Sequence, residues 1–87
     1  MKRTTIGFIV VFDDQLGFVQ PLSLNTDTDM PKEGILSWST PFFVFRSRVT
    51  ARAAINRTHH YAKAYEDDDF PMKCFCRIEK LEAERTE

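Results

Sequence analysis

The chain has 87 residues, of which 43% are hydrophobic and 29% are charged, and its formal net charge is −1. This length predicts one small domain over residues 1–87, and the composition excludes a wholly disordered chain. The near-zero net charge disfavours the strongly basic class of nucleic-acid-binding domains, and the longest apolar run, residues 8–12, is far shorter than the roughly 20 residues of a transmembrane helix.

The first predicted element is a strand over residues 4–12, where β-branched and aromatic side chains alternate. Both of its faces are apolar, which is typical of a central strand. Asp13 to Gly17 then supplies polar turn residues and a glycine, so a hairpin is expected. The second strand, residues 18–23, contains Pro21, which has no N–H to donate and therefore favours a sheet edge.

The middle of the chain is less regular. Residues 25–34 are rich in loop-forming side chains and predict one exposed loop. Residues 35–39 predict a short third strand, and after Pro41 a second extended piece, residues 42–45, leads to Ser47.

The most regular element is a helix over residues 48–65, with Ser47 as its N-cap. At 100° per residue its apolar and polar side chains separate onto two sides. The acidic residues 66–69 predict its end, because acids are unfavourable at a helix C-terminus. The side chains expected to face the sheet are those of Ala51, Ala54, Ile55, Thr58, Tyr61, Ala62 and Tyr65.

The last predicted strand covers residues 72–78 and is followed by a charged tail, residues 79–87, that we expect to fray. Its alternation predicts that Met72, Cys74, Cys76 and Ile78 face the helix. These elements together predict an α+β fold: an antiparallel sheet of three to four strands with one helix packed on one face, in the order β-β-β-α-β.

Cys74 and Cys76 are expected to remain reduced. Two cysteines on the same face of one strand have poor geometry for a disulfide. The N-terminal segment also lacks the apolar length and the cleavage site of a secretory signal, which favours a cytoplasmic location and no contact with a membrane.

No motif for catalysis, a metal or a cofactor is present. Cys74-x-Cys76 supplies two thiols where a closed zinc site needs four ligands, and His59 and His60 point in directions about 100° apart on a helix. A cysteine nucleophile with a histidine base is the one enzymatic alternative, but His60 is expected to point away from the sheet. We therefore expect no catalytic residues, no metal, no cofactor and no enzymatic activity.

Charge is strongly segregated along the chain. Residues 34–65 contain five basic residues and two histidines but no Asp or Glu, whereas residues 66–87 contain four basic and eight acidic residues. Such segregation is typical of a surface that meets a charged partner. The predicted partner-binding residues are Arg46, Arg48, Arg52, Asn56, His60 and Lys63, with Trp38 as an apolar anchor.

A protein partner is the leading hypothesis for this surface. Direct binding of RNA or DNA by the basic helix face is the alternative, and the acidic loops are a second candidate surface, since they resemble phosphates in charge. A homodimer is a third hypothesis, because an edge strand and many aromatic side chains favour self-association.

Residues 45–55 carry a resemblance to known proteins. Phe45, Ser47, Ala51 and Ala54 follow the pattern aromatic-x-Ser/Thr-x-x-x-Ala-x-x-Ala, which resembles a module found in small phage and prophage accessory proteins. The resemblance implies a strand that feeds a capped helix lying back on a sheet. It also implies stoichiometric binding to a host protein, including inhibition of defence components, and it assigns no functional residues.

Overall fold

A computed structural model describes residues 2–26, 32–39, 41–67 and 69–85. It confirms the predicted α+β class, with one long helix and antiparallel strands. The elements in chain order are β1 (Lys2–Asp13), β2 (Val19–Pro21), β3 (Ser23–Asn25), β4 (Ile35–Ser37), α1 (Arg48–Ala64), a short 3₁₀ turn (Lys73–Phe75) and β5 (Cys76–Arg85).

The main sheet has the order β2-β1-β5, and both pairings are antiparallel. β1 is central, as its two apolar faces predict. β2 lies at an edge, where Pro21 is tolerated because its missing N–H is not needed for pairing. Val11 is opposite Pro21 on one side and opposite Arg77 on the other.

The hairpin between β1 and β2 is confirmed, and side-chain carboxylates close its turn. The Asp13 carboxylate accepts a hydrogen bond from the N–H of Gln15 at 2.8 Å, and the Asp14 carboxylate accepts from Leu16 at 2.8 Å. Gly17 has φ of +113°, which a residue with a side chain rarely adopts.

The predicted second strand is split at Leu22. Its side chain is fully buried, and its N–H donates to the carbonyl of Val10 at 2.9 Å. β3 follows and pairs with β4 in a separate two-stranded sheet, so Asn25 belongs to a strand rather than to the predicted loop. Most of that loop, residues 27–31, lies outside the described residues.

The extended piece over residues 42–45 contacts the main sheet through Phe45. Phe45 and Phe8 exchange two backbone hydrogen bonds, of 2.7 and 2.8 Å. The chain passes so close to β1 here that a Cβ on Gly7 would lie 2.6 Å from the carbonyl oxygen of Phe45. Gly7 therefore permits the contact that delivers the chain to the start of α1.

α1 begins at Arg48, as predicted, behind the Ser47 cap. The Ser47 hydroxyl accepts from the Thr50 N–H at 3.1 Å, and the Thr50 hydroxyl accepts from the Ser47 N–H at 3.3 Å. This reciprocal capping box satisfies backbone donors that would otherwise lack partners.

The inward face of α1 agrees with the prediction over its first three turns. Ala51, Ala54, Ile55 and Thr58 are buried. Tyr65 was expected to face the sheet but is 68% exposed, because it follows the last helical residue and lies beyond the packed part of the helix.

Thr58 is the polar member of the core. Its hydroxyl donates to the carbonyl of Ala54 and accepts from the N–H of Leu36, both at 2.8 Å. The buried hydroxyl thus both donates and accepts a hydrogen bond, and it joins α1 to β4. The apolar residues buried around it form the core: Val10, Leu22, Leu36, Phe45, Ala51, Ala54 and Ile55.

The helix ends in a Schellman motif at the predicted acidic segment. The N–H of Glu66 donates to the carbonyl of Lys63 at 3.3 Å, and the N–H of Asp67 donates to that of Ala62 at 2.9 Å. Glu66 has φ of +51°, a conformation that glycine usually supplies at this position.

The C-terminal region corrects two predictions. Residues 73–75 form a 3₁₀ turn, so the strand begins at Cys76, and Met72 and Cys74 are exposed rather than facing the helix. The tail over residues 79–87 was expected to fray, but residues 79–85 continue β5 against the N-terminal half of β1. Pairing with β1 supplies backbone hydrogen bonds that the charged composition of this segment does not reveal. Residues 86 and 87 lie outside the described part.

We predict that Gly7→Ala lowers the free energy of unfolding by about 1–3 kcal/mol, because the added methyl group meets the backbone of Phe45. Urea denaturation measures this change. Val44→Ala added to Gly7→Ala is the control, since it removes the other close neighbour, the Val44 side chain. Full recovery of stability in the double variant would contradict a backbone requirement for glycine.

We predict that Glu66→Gly raises the free energy of unfolding by about 1 kcal/mol, because glycine adopts positive φ without strain. Glu66→Ala is the matched control, since it removes the charge but keeps the Cβ atom. Thermal denaturation of the two variants separates these effects. An alanine variant as stable as the glycine variant would assign the gain to charge instead.

Candidate functional site

An open groove of about 740 Å³ lies between the exposed side of α1 and strand β5. α1 forms one wall, and the first residues of β5 form the other. Its lining contains three arginines and no acidic residue. The lining residues are Arg48, Val49, Arg52, Ala53, Asn56, Cys76, Arg77 and Ile78.

The three arginines differ in their partners. Arg77 forms ion pairs with Asp13 at 2.5 Å and with Glu79 at 3.5 Å. The hydrogen bond to Asp13 is the main cause of a raised Arg77 pKa. The pKa of Asp13 is lowered, chiefly by the Gln15 N–H and then by Arg77.

Arg48 and Arg52 have no ion pair within the part of the chain that the structure describes. The guanidinium carbon of Arg48 lies 5.0 Å from the centre of the Phe8 ring, a distance suited to a cation–π contact. Arg52 is exposed and close enough to the Cys76 thiol to act on its pKa. These two guanidinium groups are therefore available to an anionic partner.

Asn56 also lines the groove. Its side chain was expected on the exposed polar side but is half-buried, because β5 flanks this part of the helix. Its carbonyl oxygen is buried and has no hydrogen-bond partner among the residues described. An unsatisfied buried acceptor costs free energy, and because this oxygen is buried it is not exposed at the groove surface.

The structure brings together three of the predicted partner-binding residues: Arg48, Arg52 and Asn56. Arg46 lines a different depression beside Arg57, on the other side of α1. The two remaining predicted residues, His60 and Lys63, are exposed near the C-terminal end of α1. Lys63 lies there among mixed charges that include Glu66 and Asp67.

Trp38 packs inside an aromatic cluster and does not line the groove. Its ring centre lies 4.8 Å from that of Phe12, which also contacts Phe18 and Phe75. The indole N–H donates to the carbonyl of Asp69 at 2.6 Å, and the residue is 36% exposed. These contacts show a packing role, while its use as an anchor stays a prediction.

Sequence reasoning missed part of the site and also the structural role of Arg57. Arg77 and the backbone of β5 were not assigned to the site, and the predicted alternation of Cys76 and Ile78 toward the helix was the signal that placed this strand beside α1. Arg57 donates to the carbonyls of Gly34 and Glu33, at 2.9 and 3.2 Å. Arg57 therefore stabilises the loop that contains Glu33 and Gly34.

The two cysteines are free thiols with different surroundings. Burial is the main cause that raises the pKa of the Cys76 thiol to about 11, and this thiol donates to the carbonyl of Met72 at 3.3 Å. Cys76 is therefore neutral at pH 7 and a poor nucleophile. Cys74 lies on the exposed 3₁₀ turn.

Comparison with protein-family models, with curated proteins and with solved structures found no match for this chain. The described residues contain no group of three or more potential metal ligands. Over the same residues, no helix has both the length and the apolar character needed to cross a membrane.

We predict that iodoacetamide at pH 8 modifies Cys74 at least about tenfold faster than Cys76, because only the thiolate reacts and a thiol with a pKa of about 11 is ionised in roughly one molecule in a thousand at that pH. Modification at Cys76 should increase as the pH approaches 11. Peptide mass spectrometry measures both sites. Cys74→Ala and Cys76→Ala serve as controls, and equal rates at pH 8 would contradict the burial argument.

Proposed function

We propose that this protein is a cytoplasmic, non-enzymatic binding module that docks on an acidic surface of a partner protein through the groove between α1 and β5. The observation that carries this proposal is the pair of arginines, Arg48 and Arg52, that face an acid-free groove without ion-pair partners in the described residues. Such cations are well suited to carboxylates, because a guanidinium binds both oxygens at once.

The surroundings of these arginines favour a protein partner. Arg48 is held against the Phe8 ring, so less side-chain freedom is lost when it binds. Val49 and Ile78 add apolar surface beside the charges. Arginine on a partly apolar surface is a frequent source of binding energy between proteins.

The wider role in this proposal is that of an accessory or inhibitor factor of phage or prophage origin that acts on a host protein, such as a defence component. This part rests on the resemblance of residues 45–55 and on the small size of the chain. A stoichiometric inhibitor needs one complementary surface and no catalytic group, which agrees with the chemistry of the groove.

Nucleic acid is the alternative partner, because the same guanidinium groups bind phosphates. The groove residues argue against it. None of them is aromatic, so this groove offers no ring on which an unpaired base stacks. The third arginine, Arg77, is already paired with two carboxylates.

The double substitution Arg48→Glu with Arg52→Glu tests the function. We predict that native protein cross-linked in a bacterial lysate captures an acidic protein, and that the double variant weakens binding of that purified protein by at least about tenfold. Titration calorimetry measures the affinity, and circular dichroism verifies the fold of each variant.

The matched control is Arg46→Glu with Lys63→Glu, which makes the same change in net charge outside the groove. It should retain most of the affinity. Equal loss in both variants would show a general charge effect and contradict the groove. Affinity for a duplex or single-stranded oligonucleotide that falls steeply with salt and disappears in the groove variant would favour the nucleic-acid alternative.

A further inference from the structure

β5 has a free outer edge along the groove. β1 is its only strand partner within the described residues, so the side of β5 away from β1 is unpaired. The edge is long for an unpaired strand, since β5 covers Cys76–Arg85. Exposed edges of this length are templates for the addition of another strand.

The register shows which backbone groups point outward. Phe8 exchanges its backbone hydrogen bonds with Phe45, and the carbonyl of Val10 accepts from Leu22, so these two residues of β1 point away from β5. Lys80 is opposite Phe8 and Ile78 is opposite Val10.

In an antiparallel ladder, two opposite residues either exchange backbone hydrogen bonds with each other or both direct their N–H and C=O groups away from the pair. The N–H and C=O groups of Ile78 and Lys80 therefore point to the free edge. The backbone N–H and C=O groups of Arg77 and Glu79, the residues that alternate with these two along β5, point to β1. The outward groups are spaced by two residues, which is the spacing that an added strand pairs with.

The edge and the arginines belong to one groove. Ile78 and Cys76 pack toward the core beside α1, and they line the groove opposite Arg48 and Arg52. An extended segment paired with β5 would have one row of side chains beneath the exposed side of α1. Carboxylates in that row would lie near the two guanidinium groups, which is charge complementarity in addition to backbone pairing.

A second copy of this chain fits this edge less well. Two β5 strands paired antiparallel about a twofold axis place both helices on the same face of the joined sheet. Arg48 and Arg52 of each copy would then approach those of the other, and like charges oppose such a contact.

We infer that β5 receives an extended, acidic segment of the partner protein as an added strand, with Arg48 and Arg52 binding its carboxylates. This inference rests on the proposed function, because it specifies how the partner occupies the same groove. The mode is β-strand addition, in which backbone hydrogen bonds supply affinity and side chains on one face supply specificity.

The first test uses a blocked hexapeptide that alternates Glu and Val at millimolar concentration. We predict that it slows hydrogen exchange at the amides of Ile78 and Lys80 by at least about tenfold, while the amides of Arg77 and Glu79, already bonded to β1, change little. NMR measures the four amides separately. A peptide with Lys in place of Glu, and a Glu peptide with alternate N-methylated amides, should give no protection.

The second test uses Lys80→Pro, which removes one outward N–H at an exposed position without removing a bond to β1. We predict that it abolishes protection by the Glu–Val peptide and weakens binding of the captured partner by about tenfold. Lys80→Ala is the matched control because it removes the same charge but retains the N–H, and it should behave like the native protein. If the proline variant does not fold, the exchange measurement on native protein still decides.

The outcomes separate this inference from the proposed function. If Arg48→Glu with Arg52→Glu weakens partner binding but the peptide protects neither Ile78 nor Lys80, strand addition is overturned and groove docking remains. Protection of these amides that rises with protein concentration alone identifies a second copy as the occupant and also overturns the inference. The inference is also overturned if a single-stranded oligonucleotide protects the Ile78 and Lys80 amides as strongly as the Glu–Val peptide does.

Discussion

The backbone exchange between Phe45 and Phe8 is the contact on which the arrangement of helix and sheet depends. Its two hydrogen bonds, of 2.7 and 2.8 Å, join the segment before α1 to the central strand. They require a close approach over Gly7, where a side chain would meet the Phe45 carbonyl. Two residues later Ser47 caps the helix, so the exchange sets where α1 starts above the sheet. Arg48 then lies over the Phe8 ring of the same pair.

The basic residues of the segment 34–65, which contains no Asp or Glu, consequently have different roles. Arg57 holds the backbone of residues 33 and 34, and Arg48 is positioned by an aromatic ring. Arg52 remains exposed beside β5. None of the five basic residues of this segment has an ion pair among the described residues, and Arg48 and Arg52 are the two that line the groove beside β5. A partner that meets this groove encounters fixed positive charge next to apolar surface and unpaired strand backbone.

Periodicity predicted the elements whose stability is local. The helix over residues 48–65, its Ser47 cap and the hairpin at Asp13–Gly17 each depend on side chains close in sequence, and each is present. The frayed tail was wrong because the partner of β5 is β1, more than 60 residues away in the chain. A charged sequence such as that of residues 79–85 forms a strand when a central strand offers it a complete set of backbone partners.

The sequence by itself determined the α+β class, the span of the helix and the presence of an acid-free basic segment, because these follow from side-chain periodicity and charge. Only the tertiary structure decided which cations share a groove, that Trp38 packs against Phe12, and that β5 borders α1 with an edge that no other described strand pairs. Those features depend on contacts between residues distant in the chain. Such contacts arise from the joint packing of several elements, which no single segment encodes.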